Sequence, residues 1–317
     1  WEDFSSTVGF WADMDNPYVT YHNDFIESEW WALKQIWDKG LLYKGFKIVP
    51  YCPRCGTPLS SHEVAQGYKM VKVNTLTCKF KKKDAENEYF LAWTTTPWTL
   101  PSNLALCVNP SDTYARFNVD GQTIIMAKAL IEACFPGQEV EIHEEMPGQA
   151  LCGMHYEPLF DFAVGKLDKD AWFVVADNYV TMTDGTGIVH IAPAFGEDDN
   201  RVCRENNVPF VNFVDNQGCM TEDTKWAGVF VKKADPMVLE DLKERDLLFK
   251  PQPFEHDYPF CWRCDTPLLY YARPTWFIQM TKVRDQLVAN NRTINWMPEN
   301  IKEGRMGTWL ENVHDWG

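Results

Sequence analysis

Two Cys-x-x-Cys pairs stand out among the ten cysteines of this 317-residue chain. They lie in a repeat: residues 50–59 read Pro-Tyr-Cys-Pro-Arg-Cys-Gly-Thr-Pro-Leu, and residues 259–268 read Pro-Phe-Cys-Trp-Arg-Cys-Asp-Thr-Pro-Leu. Each pair places two thiolates on one side of a tight turn, which makes half of a tetrahedral zinc site. We therefore predict one structural zinc ion, with a redox pair or two separate sites that use His62 as the alternatives. The predicted ligands are Cys52, Cys55, Cys261 and Cys264.

A run of hydroxyl side chains follows a β-prone segment. Residues 93–103 read Trp-Thr-Thr-Thr-Pro-Trp-Thr-Leu-Pro-Ser-Asn. Three threonines at the end of a strand, followed by a proline turn, bring several hydroxyl groups to a sheet edge, where they can hold a water molecule or bind ribose and ester oxygens. On composition alone, an ordinary polar loop is the simpler interpretation.

A second unusual segment covers residues 185–199, which read Gly-Thr-Gly-Ile-Val-His-Ile-Ala-Pro-Ala-Phe-Gly-Glu-Asp-Asp. It predicts a strand that ends near His190, a turn of small residues, and carboxylates at the start of a helix. The alternative is a structural histidine followed by acidic residues that cap the helix. The segment begins like a dinucleotide-binding loop, but His190 occupies the place of the third glycine.

The elements between the cysteine pairs are predicted to be mostly short strands. Asp120-Gly121 is a strong hairpin signal, and it separates two β-prone runs at 114–119 and 122–126. Many short strands with few helices favour a barrel-like, mainly β module. Other strands are predicted at 71–75, 89–93, 172–176, 187–191 and 210–214, with short helices at 127–133 and after Gly196.

Helices are predicted mainly near the two ends of the chain. Asp24 and Glu27 fit a capping box at the start of a helix whose apolar stripe ends before Gly40. Within the central module, Asp235 is predicted to cap a helix that begins with Pro236. Two further helices are predicted at 275–290 and 302–313.

If both cysteine pairs hold one metal ion, the two ends of the intervening chain lie close together at that ion, and the residues between them form an inserted module. The predicted fold class is therefore α+β, mainly β, with a barrel-like module inserted into a helical and zinc-knuckle stem. We predict an N-terminal stem at 1–69, the β module at 70–250 and a C-terminal stem at 251–317.

Composition excludes several classes of protein. A hydrophobic fraction of 45% argues against general disorder, and no run of eighteen apolar residues predicts a membrane span. The formal charge of −15 argues against a free-standing nucleic-acid binder that neutralises phosphates. Because the chain begins with Trp1, we expect it to be a segment of a longer protein.

The threonine run and the Gly-Thr-Gly segment, bracketed by the cysteine pairs, closely resemble isoleucyl-tRNA synthetases of eukaryotic-like type. The matching part is their editing domain, connective polypeptide 1, and the resemblance runs from residues 8–11 to 311–316. The related valine and leucine enzymes carry Thr-Thr-Arg-Pro, whereas here Thr96 precedes Pro97. The ATP-site signatures His-x-Gly-His and Lys-Met-Ser-Lys-Ser are missing, so the resemblance implies ATP binding in the full-length enzyme only.

The resemblance implies hydrolysis of the ester in mischarged Val-tRNA(Ile), in a pocket that excludes isoleucine, with Val-AMP as a further candidate substrate. It assigns Asp199 to the substrate α-amino group and His190 to the wall of the side-chain pocket, in contact with the substrate. Ala194-Phe195 stands where bacterial members typically have Gly-His. The remaining implied site residues are Thr94, Thr95 and Thr96 around the ester and water, with Thr99 and Asn103 as further substrate contacts.

The implied partners are the acceptor end of tRNA(Ile) and the remainder of the synthetase. We expect no membrane partner, a monomeric fragment and a cytoplasmic location. Two alternatives stay open: a zinc-stapled module that positions tRNA without hydrolytic activity, and the editing domain of a valine or leucine enzyme.

Overall fold

The structure, a computed structural model, describes residues 1–317 and contains two compact units. Both chain ends, Trp1–Phe46 and Pro274–Gly317, form the first unit, and Lys47–Arg273 forms the second. Both cysteine pairs belong to the second unit. The three-part division drawn from the sequence stays a prediction. No helix combines the length and the apolar character needed to cross a bilayer.

Eight helices and twelve strands make up the chain. Short 3₁₀ segments accompany them, notably at Pro97–Ser102. The helices are α1 (Glu2–Thr7), α2 (Asn23–Asp38), α3 (Ser61–Ala65), α4 (Ile131–Cys134), α5 (Glu197–Glu205), α6 (Val231–Glu244), α7 (Arg284–Thr293) and α8 (Gly307–Glu311). The strands are β1 (Leu42–Cys52), β2 (Thr57–Pro58), β3 (Tyr68–Lys81), β4 (Glu88–Thr94), β5 (Ala105–Val108), β6 (Thr113–Val119), β7 (Gln122–Ala127), β8 (Glu141–Pro147), β9 (Phe173–Ala176), β10 (Ile188–Ile191), β11 (Leu248–Pro259) and β12 (Leu269–Ile278).

A curled nine-stranded sheet is the main element of the second unit. Its order is β8-β6-β7-β4-β10-β5-β9, and the antiparallel pair β3-β11 adds to it through β4. The remaining strands form a three-stranded sheet in the order β12-β1-β2. The predicted fold class, α+β and mainly β with a barrel-like sheet, is confirmed.

The predicted hairpin is confirmed, and its turn explains the dipeptide. Strands β6 and β7 pair antiparallel from Tyr114 opposite Ala127 to Val119 opposite Gln122. Asp120 and Gly121 both adopt positive φ, 49° and 76°, as a two-residue turn between right-twisted strands requires.

The core of the second unit lies between this sheet and the segments that cover it. β4 contributes Phe90 and Leu91, both fully buried, and β10 contributes Ile188 and Ile191. Tyr114 crosses the core, and its hydroxyl donates to the carbonyl of Gly187 at 2.6 Å, just before β10. Apolar burial thus holds the two strands that lead into the unusual segments.

The helix predicted near the N-terminus is present as α2, but its predicted capping box is wrong. The cap residue is His22, which makes no side-chain capping bond. Since the helix begins at Asn23, Asp24 already lies inside the first turn and Glu27 is beyond the position that a capping box uses. Gly40 adopts φ +64°, as expected of a glycine that follows a helix.

Three further predictions need correction. Residues 275–278, predicted helical, belong to strand β12, where Phe277 stacks on Tyr43 of β1 at 5.2 Å. The helix begins at Arg284. The helix predicted at 302–313 is present as a π-helical turn at Lys302–Met306 followed by α8. Residues 210–214 form no strand, only an isolated bridge at Val214. Asp235 does not cap α6, because that helix already begins at Val231.

Gly67 provides a test of backbone packing in the second unit. A Cβ atom there would lie 1.9 Å from the carbonyl oxygen of Phe260, whose own N–H donates to the carbonyl of Gly67 at 2.8 Å. We expect Gly67→Ala to lower the free energy of unfolding by about 1–3 kcal/mol or more, since backbone must move. Chemical denaturation checks this against the exposed neighbour Gln66→Ala, and equal stability of the two variants would contradict it.

Candidate functional site

Strand β4 brings the two unusual segments together. β3 pairs along one edge of β4, while the other edge is shared by β7, at Glu88–Phe90, and by β10, at Trp93 opposite Val189. Both β7 and β10 run parallel to β4. Because parallel strands end on the same side of a sheet, the segments that follow β4 and β10 emerge next to each other. The threonine run therefore lies beside His190.

A chain of hydroxyl groups connects the threonine run to this histidine. The Oγ1 atom of Thr96 lies 3.4 Å from that of Thr94 and 3.3 Å from that of Thr99. Thr99 Oγ1 in turn lies 3.0 Å from Nε2 of His190. Thr94, Thr99 and His190 are buried. The structure thus gathers four of the predicted site residues into one hydrogen-bonded cluster.

The bonding pattern assigns the protons of His190. Thr99 Oγ1 donates its one hydrogen to the carbonyl of Thr96 at 2.8 Å, so at 3.0 Å it accepts from Nε2–H of the imidazole. Burial lowers the pKa of His190 to about 4, which keeps the ring neutral. Nδ1 then carries a lone pair, and this buried atom has no protein partner. It can accept a hydrogen bond from a ligand or a water molecule.

Asp199 lies in the first turn of α5 and faces the segment that follows β10. Its Oδ2 accepts the N–H of Ala192 at 2.9 Å. A Cβ atom on Gly196 would lie only 2.7 Å from the carboxyl carbon, so this glycine makes room for the acid. Burial raises the pKa of Asp199 to about 7.

The neighbouring acid Asp198 behaves differently. It is exposed, and one of its oxygens lies 3.2 Å from a guanidinium nitrogen of Arg201. No lysine or arginine pairs with Asp199 within the chain. Asp199 is therefore a partly buried acid that lacks a cation, which is an environment that favours binding a cationic group.

The two segments also pack against each other. The ring of Trp98 meets that of Phe195 edge-on, with 4.7 Å between centroids. The backbone N–H of Trp98 donates to Oδ1 of Asp235 at 2.9 Å, a contact from helix α6. Phe195 thus supports the threonine run through an aromatic contact.

Two predicted site residues are not part of the hydroxyl chain. Thr95 is half-buried and makes no side-chain hydrogen bond. Asn103 is buried, and its amide group bonds to the fold: it donates to the carbonyl of Ala105 at 2.9 Å and accepts from the hydroxyl of Tyr156 at 2.7 Å. The structure therefore gives Asn103 a role in holding strands together, and its contact with substrate stays a prediction.

The four cysteines of the repeat form one cluster. Their sulfur atoms all lie within 4.8 Å of one another, with 3.5 Å between Cys52 and Cys264 and 4.0 Å between Cys55 and Cys261. A zinc ion bound at about 2.3 Å by four tetrahedral sulfurs would space them about 3.8 Å apart. The donor set and its spacing therefore fit a single tetrahedral metal ion.

The two halves of this cluster have the same backbone conformation. In each, the residue four places after the first cysteine donates its N–H to that cysteine's carbonyl, Gly56 to Cys52 at 2.9 Å and Asp265 to Cys261 at 2.8 Å. Both residues adopt positive φ, 69° and 59°. Thr266 Oγ1, 3.3 Å from the sulfur, lowers the pKa of the Cys264 thiol to about 6 by hydrogen bonding, which favours the thiolate that a metal needs.

Comparison with known proteins gives the family. The model of the family described as tRNA synthetases class I (I, L, M and V) matches residues 1–317. The chain belongs to the class I tRNA synthetases. Two curated relatives, the isoleucine–tRNA ligases of Clostridium acetobutylicum and Clostridium novyi, are 58% and 57% identical to it over its whole length. The chain spans about 30% of the length of these relatives.

The eukaryotic-like type of the expected resemblance stays a prediction. Among solved structures, the editing domain of the cytosolic leucyl-tRNA synthetase of P. knowlesi is similar, with a TM-score of 0.43 and 12% identity. The match covers 59% of this synthetase chain and 97% of that structure. A likeness this distant says nothing about a shared function.

Sequence reasoning missed several polar groups around the site. Two buried side-chain atoms near it, Nε1 of Trp98 and Oγ of Ser102, have no partner, and neither has Nδ1 of the predicted residue His190. Asp235 was predicted as a helix cap, not as a partner of Trp98. The burial of these atoms and the bond between Asp235 and Trp98 have no local sequence signal, because they depend on residues far apart in the chain.

The cysteine cluster gives the first prediction about the site. We expect one metal ion per chain, lost on Cys261→Ser because only three thiolates remain. Elemental analysis of the purified protein measures this, with Cys219→Ser as the matched control, since that half-buried cysteine lies outside the cluster. Unchanged metal content in Cys261→Ser, or none in the unaltered protein, would show that the cluster is not a metal site.

Proposed function

We propose that this chain hydrolyses the ester bond of Val-tRNA(Ile), as the editing domain of an isoleucine–tRNA ligase. The observation that carries the proposal is the hydroxyl chain from Thr94 to the buried His190, formed next to a segment that holds a partly buried, cation-free Asp199. An aminoacyl ester offers the complementary groups: an ammonium group, ester and ribose oxygens, and a small side chain. The strong similarity to isoleucine–tRNA ligases supports this choice of substrate.

The proposed reaction needs positioning more than a nucleophilic side chain. Water adds to the ester carbonyl carbon, the bond from that carbon to the ribose oxygen breaks, and the released ribose oxygen takes a proton from the water. Thr94 and Thr96 place hydroxyl groups that can orient the water and the ester oxygens. The ionised Asp199 carboxylate holds the α-ammonium group and so fixes the position of the carbonyl.

Selectivity is assigned to His190. Isoleucine is one methylene larger than valine, and a methylene is worth about 1–3 kcal/mol of discrimination, a range established on this enzyme class. A neutral imidazole held by Thr99 makes a rigid wall, because its Nε2 is fixed at 3.0 Å and its ring is buried. A rigid wall turns the extra methylene into a steric clash.

The metal of the cysteine cluster is proposed to be zinc, with a structural role. Four thiolates form a closed tetrahedral set, which leaves no position for a substrate. When bound, zinc would join the two chain segments that enter and leave the β module. The proposed partner is the acceptor end of tRNA(Ile); the −15 charge of this chain implies that other parts of a synthetase supply most of the basic tRNA-binding surface.

Release of amino acid from charged tRNA tests the proposed function. We expect rapid release from Val-tRNA(Ile) and little from Ile-tRNA(Ile), in the absence of ATP. Asp199→Ala should lower kcat/KM for Val-tRNA(Ile) by about 10- to 100-fold, since it removes the charged acceptor of the proposed bond to the α-ammonium group. Asp198→Ala is the matched control, and it should change the rate little because Asp198 is exposed and pairs with Arg201.

The same assay has a pH signature. Asp199 must be ionised to bind the ammonium group, and burial raises its pKa to about 7. Deacylation by the unaltered protein should therefore fall as the pH drops through about 7. Asp198→Ala should show the same fall at a slightly lower pH, because the negative charge of Asp198 contributes to the raised pKa of Asp199. Equal release of valine and isoleucine, or an Asp199→Ala variant as active as Asp198→Ala, would contradict the assignment; a protein without any release would support the alternative of tRNA positioning alone.

His190→Ala tests the steric wall. Removing the imidazole leaves room for more than one methylene, so we expect release from Ile-tRNA(Ile) to rise at least about 10-fold relative to Val-tRNA(Ile). His155→Ala, an exposed histidine paired with Asp170 at 2.9 Å, is the control and should leave the ratio unchanged. A purely catalytic or structural histidine would slow both substrates together at a constant ratio.

A further inference from the structure

Asp235 directs its carboxylate away from its own helix. It is the fifth residue of α6, which begins at Val231, so no N–H group at the start of that helix needs it as a cap. Its Oδ1 instead accepts the backbone N–H of Trp98 at 2.9 Å, across 137 residues of sequence. The contact places a carboxylate at the beginning of the 3₁₀ helix Pro97–Ser102.

That 3₁₀ helix lacks a cap of its own. The first N–H groups of any helix have no partner inside it, and a serine, threonine or aspartate just before the helix usually accepts one of them. Thr96 occupies the capping position but makes no side-chain capping bond. Pro97 has no N–H, so the first N–H of the helix that needs an acceptor is that of Trp98.

The hydroxyl of Thr96 is used elsewhere. Its Oγ1 lies 3.4 Å from that of Thr94 and 3.3 Å from that of Thr99, in the hydroxyl chain that ends at His190. If Thr96 turned to cap its own helix, this chain would lose its middle member. One side chain cannot hold both positions.

We propose that Asp235 is a positioning residue that caps the 3₁₀ helix from outside, so that the Thr96 hydroxyl remains in the site. The inference rests on the proposed ester hydrolysis and adds a residue that touches neither substrate nor water. The surroundings strengthen the contact, because burial makes a hydrogen bond to a charged acceptor stronger. Burial raises the pKa of Asp235 to about 6, and the charge of Lys232 and the bond from Trp98 oppose this rise. Lys232 lies one turn earlier in α6, with its Nζ 4.5 Å from the ring centroid of Tyr258.

A shift of Trp98 would also reach the second segment. Its ring contacts Phe195 at 4.7 Å, and Phe195 lies between His190 and Asp199 in the chain. Losing the bond to Asp235 therefore displaces the hydroxyl chain and weakens the contact between Trp98 and Phe195 of the 185–199 segment. Both effects alter the placement of reacting groups and leave the overall fold in place.

Two substitutions separate positioning from general stability. Asp235→Ala removes the acceptor, whereas Asp235→Asn keeps an oxygen that can accept the N–H of Trp98. Glu240→Ala is the matched control, since Glu240 is an exposed acid of the same helix. The measurements are kcat and KM for deacylation of Val-tRNA(Ile), and amide hydrogen exchange of residues 94–102, both on the complete metal-bound protein.

We expect Asp235→Ala to lower kcat by about 10- to 100-fold with KM changed less than about threefold, because small misplacements of reacting groups cost rate. Asp235→Asn and Glu240→Ala should stay within about threefold of the unaltered protein. Exchange of residues 94–102 should accelerate in Asp235→Ala alone. Unaltered kcat in Asp235→Ala, or equal losses in Asp235→Ala and Asp235→Asn, would overturn the proposal.

Deacylation kinetics and amide hydrogen exchange together distinguish failure of the proposed ester hydrolysis from failure of the proposed capping role of Asp235. If the unaltered protein releases no valine, the proposed function is wrong, and exchange alone then tests the capping role. Unchanged protection of residues 94–102 in Asp235→Ala would overturn that role whatever the activity. Faster exchange in Asp235→Ala, restored by Asp235→Asn, supports it.

Discussion

The parallel pairing of β4 with β10 is the constraint on which the rest of the site depends. It consists of one residue pair, Trp93 opposite Val189, yet it aligns two strand ends whose following residues lie about ninety positions apart in sequence. Buried side chains on both strands, such as Leu91 and Ile191, hold the pairing by apolar burial, worth about 1.5–3 kcal/mol for each large side chain. The pairing exists because β7 leaves the same edge of β4 after Phe90, which frees the last residues of β4 for β10. The hydrogen bond between Thr99 and His190 follows from this change of pairing partner, from β7 to β10, along one edge of β4.

The same region contains polar atoms that a purely structural core would avoid. His190 Nδ1, Trp98 Nε1 and Ser102 Oγ are buried without a protein partner, and each such group costs about 1–3 kcal/mol. A well-packed domain tolerates these costs where they serve a purpose, and they occur here within and beside the hydroxyl chain. A ligand or water that completes these bonds would recover part of the lost stability on binding. This distribution agrees with the proposed hydrolytic site better than with a module that only positions tRNA.

The features predictable from sequence were those encoded within a few residues. The cysteine cluster followed from a repeat whose two turns have the same local geometry, and the β6–β7 hairpin followed from Asp120-Gly121, whose positive φ angles are a local property. The helix cap at Asp235 failed for the opposite reason. Its sequence neighbour Pro236 predicts a helix start, but α6 gains its first turn from the burial of Val231 and Ala234 against the core. Pairing with β1 likewise made residues 275–278 a strand.

Asp198 and Asp199 show why the candidate site could be anticipated only in outline. They are identical residues next to each other at one helix start, and local rules treat both as favourable charges near the helix N-terminus. The fold separates them: Asp198 faces solvent and Arg201, whereas Asp199 turns inward to the N–H of Ala192 and loses access to any cation of the chain. Burial then raises the pKa of Asp199 to about 7, so at neutral pH its ionised and protonated forms have similar free energies. A positive group nearby would favour the ionised form. In a chain with an excess of fifteen negative charges, most acids find solvent or an arginine or lysine. A partly buried acid with no cation of its own agrees with the proposal that a cation comes with the substrate, and the α-ammonium group of an aminoacyl ester is such a cation.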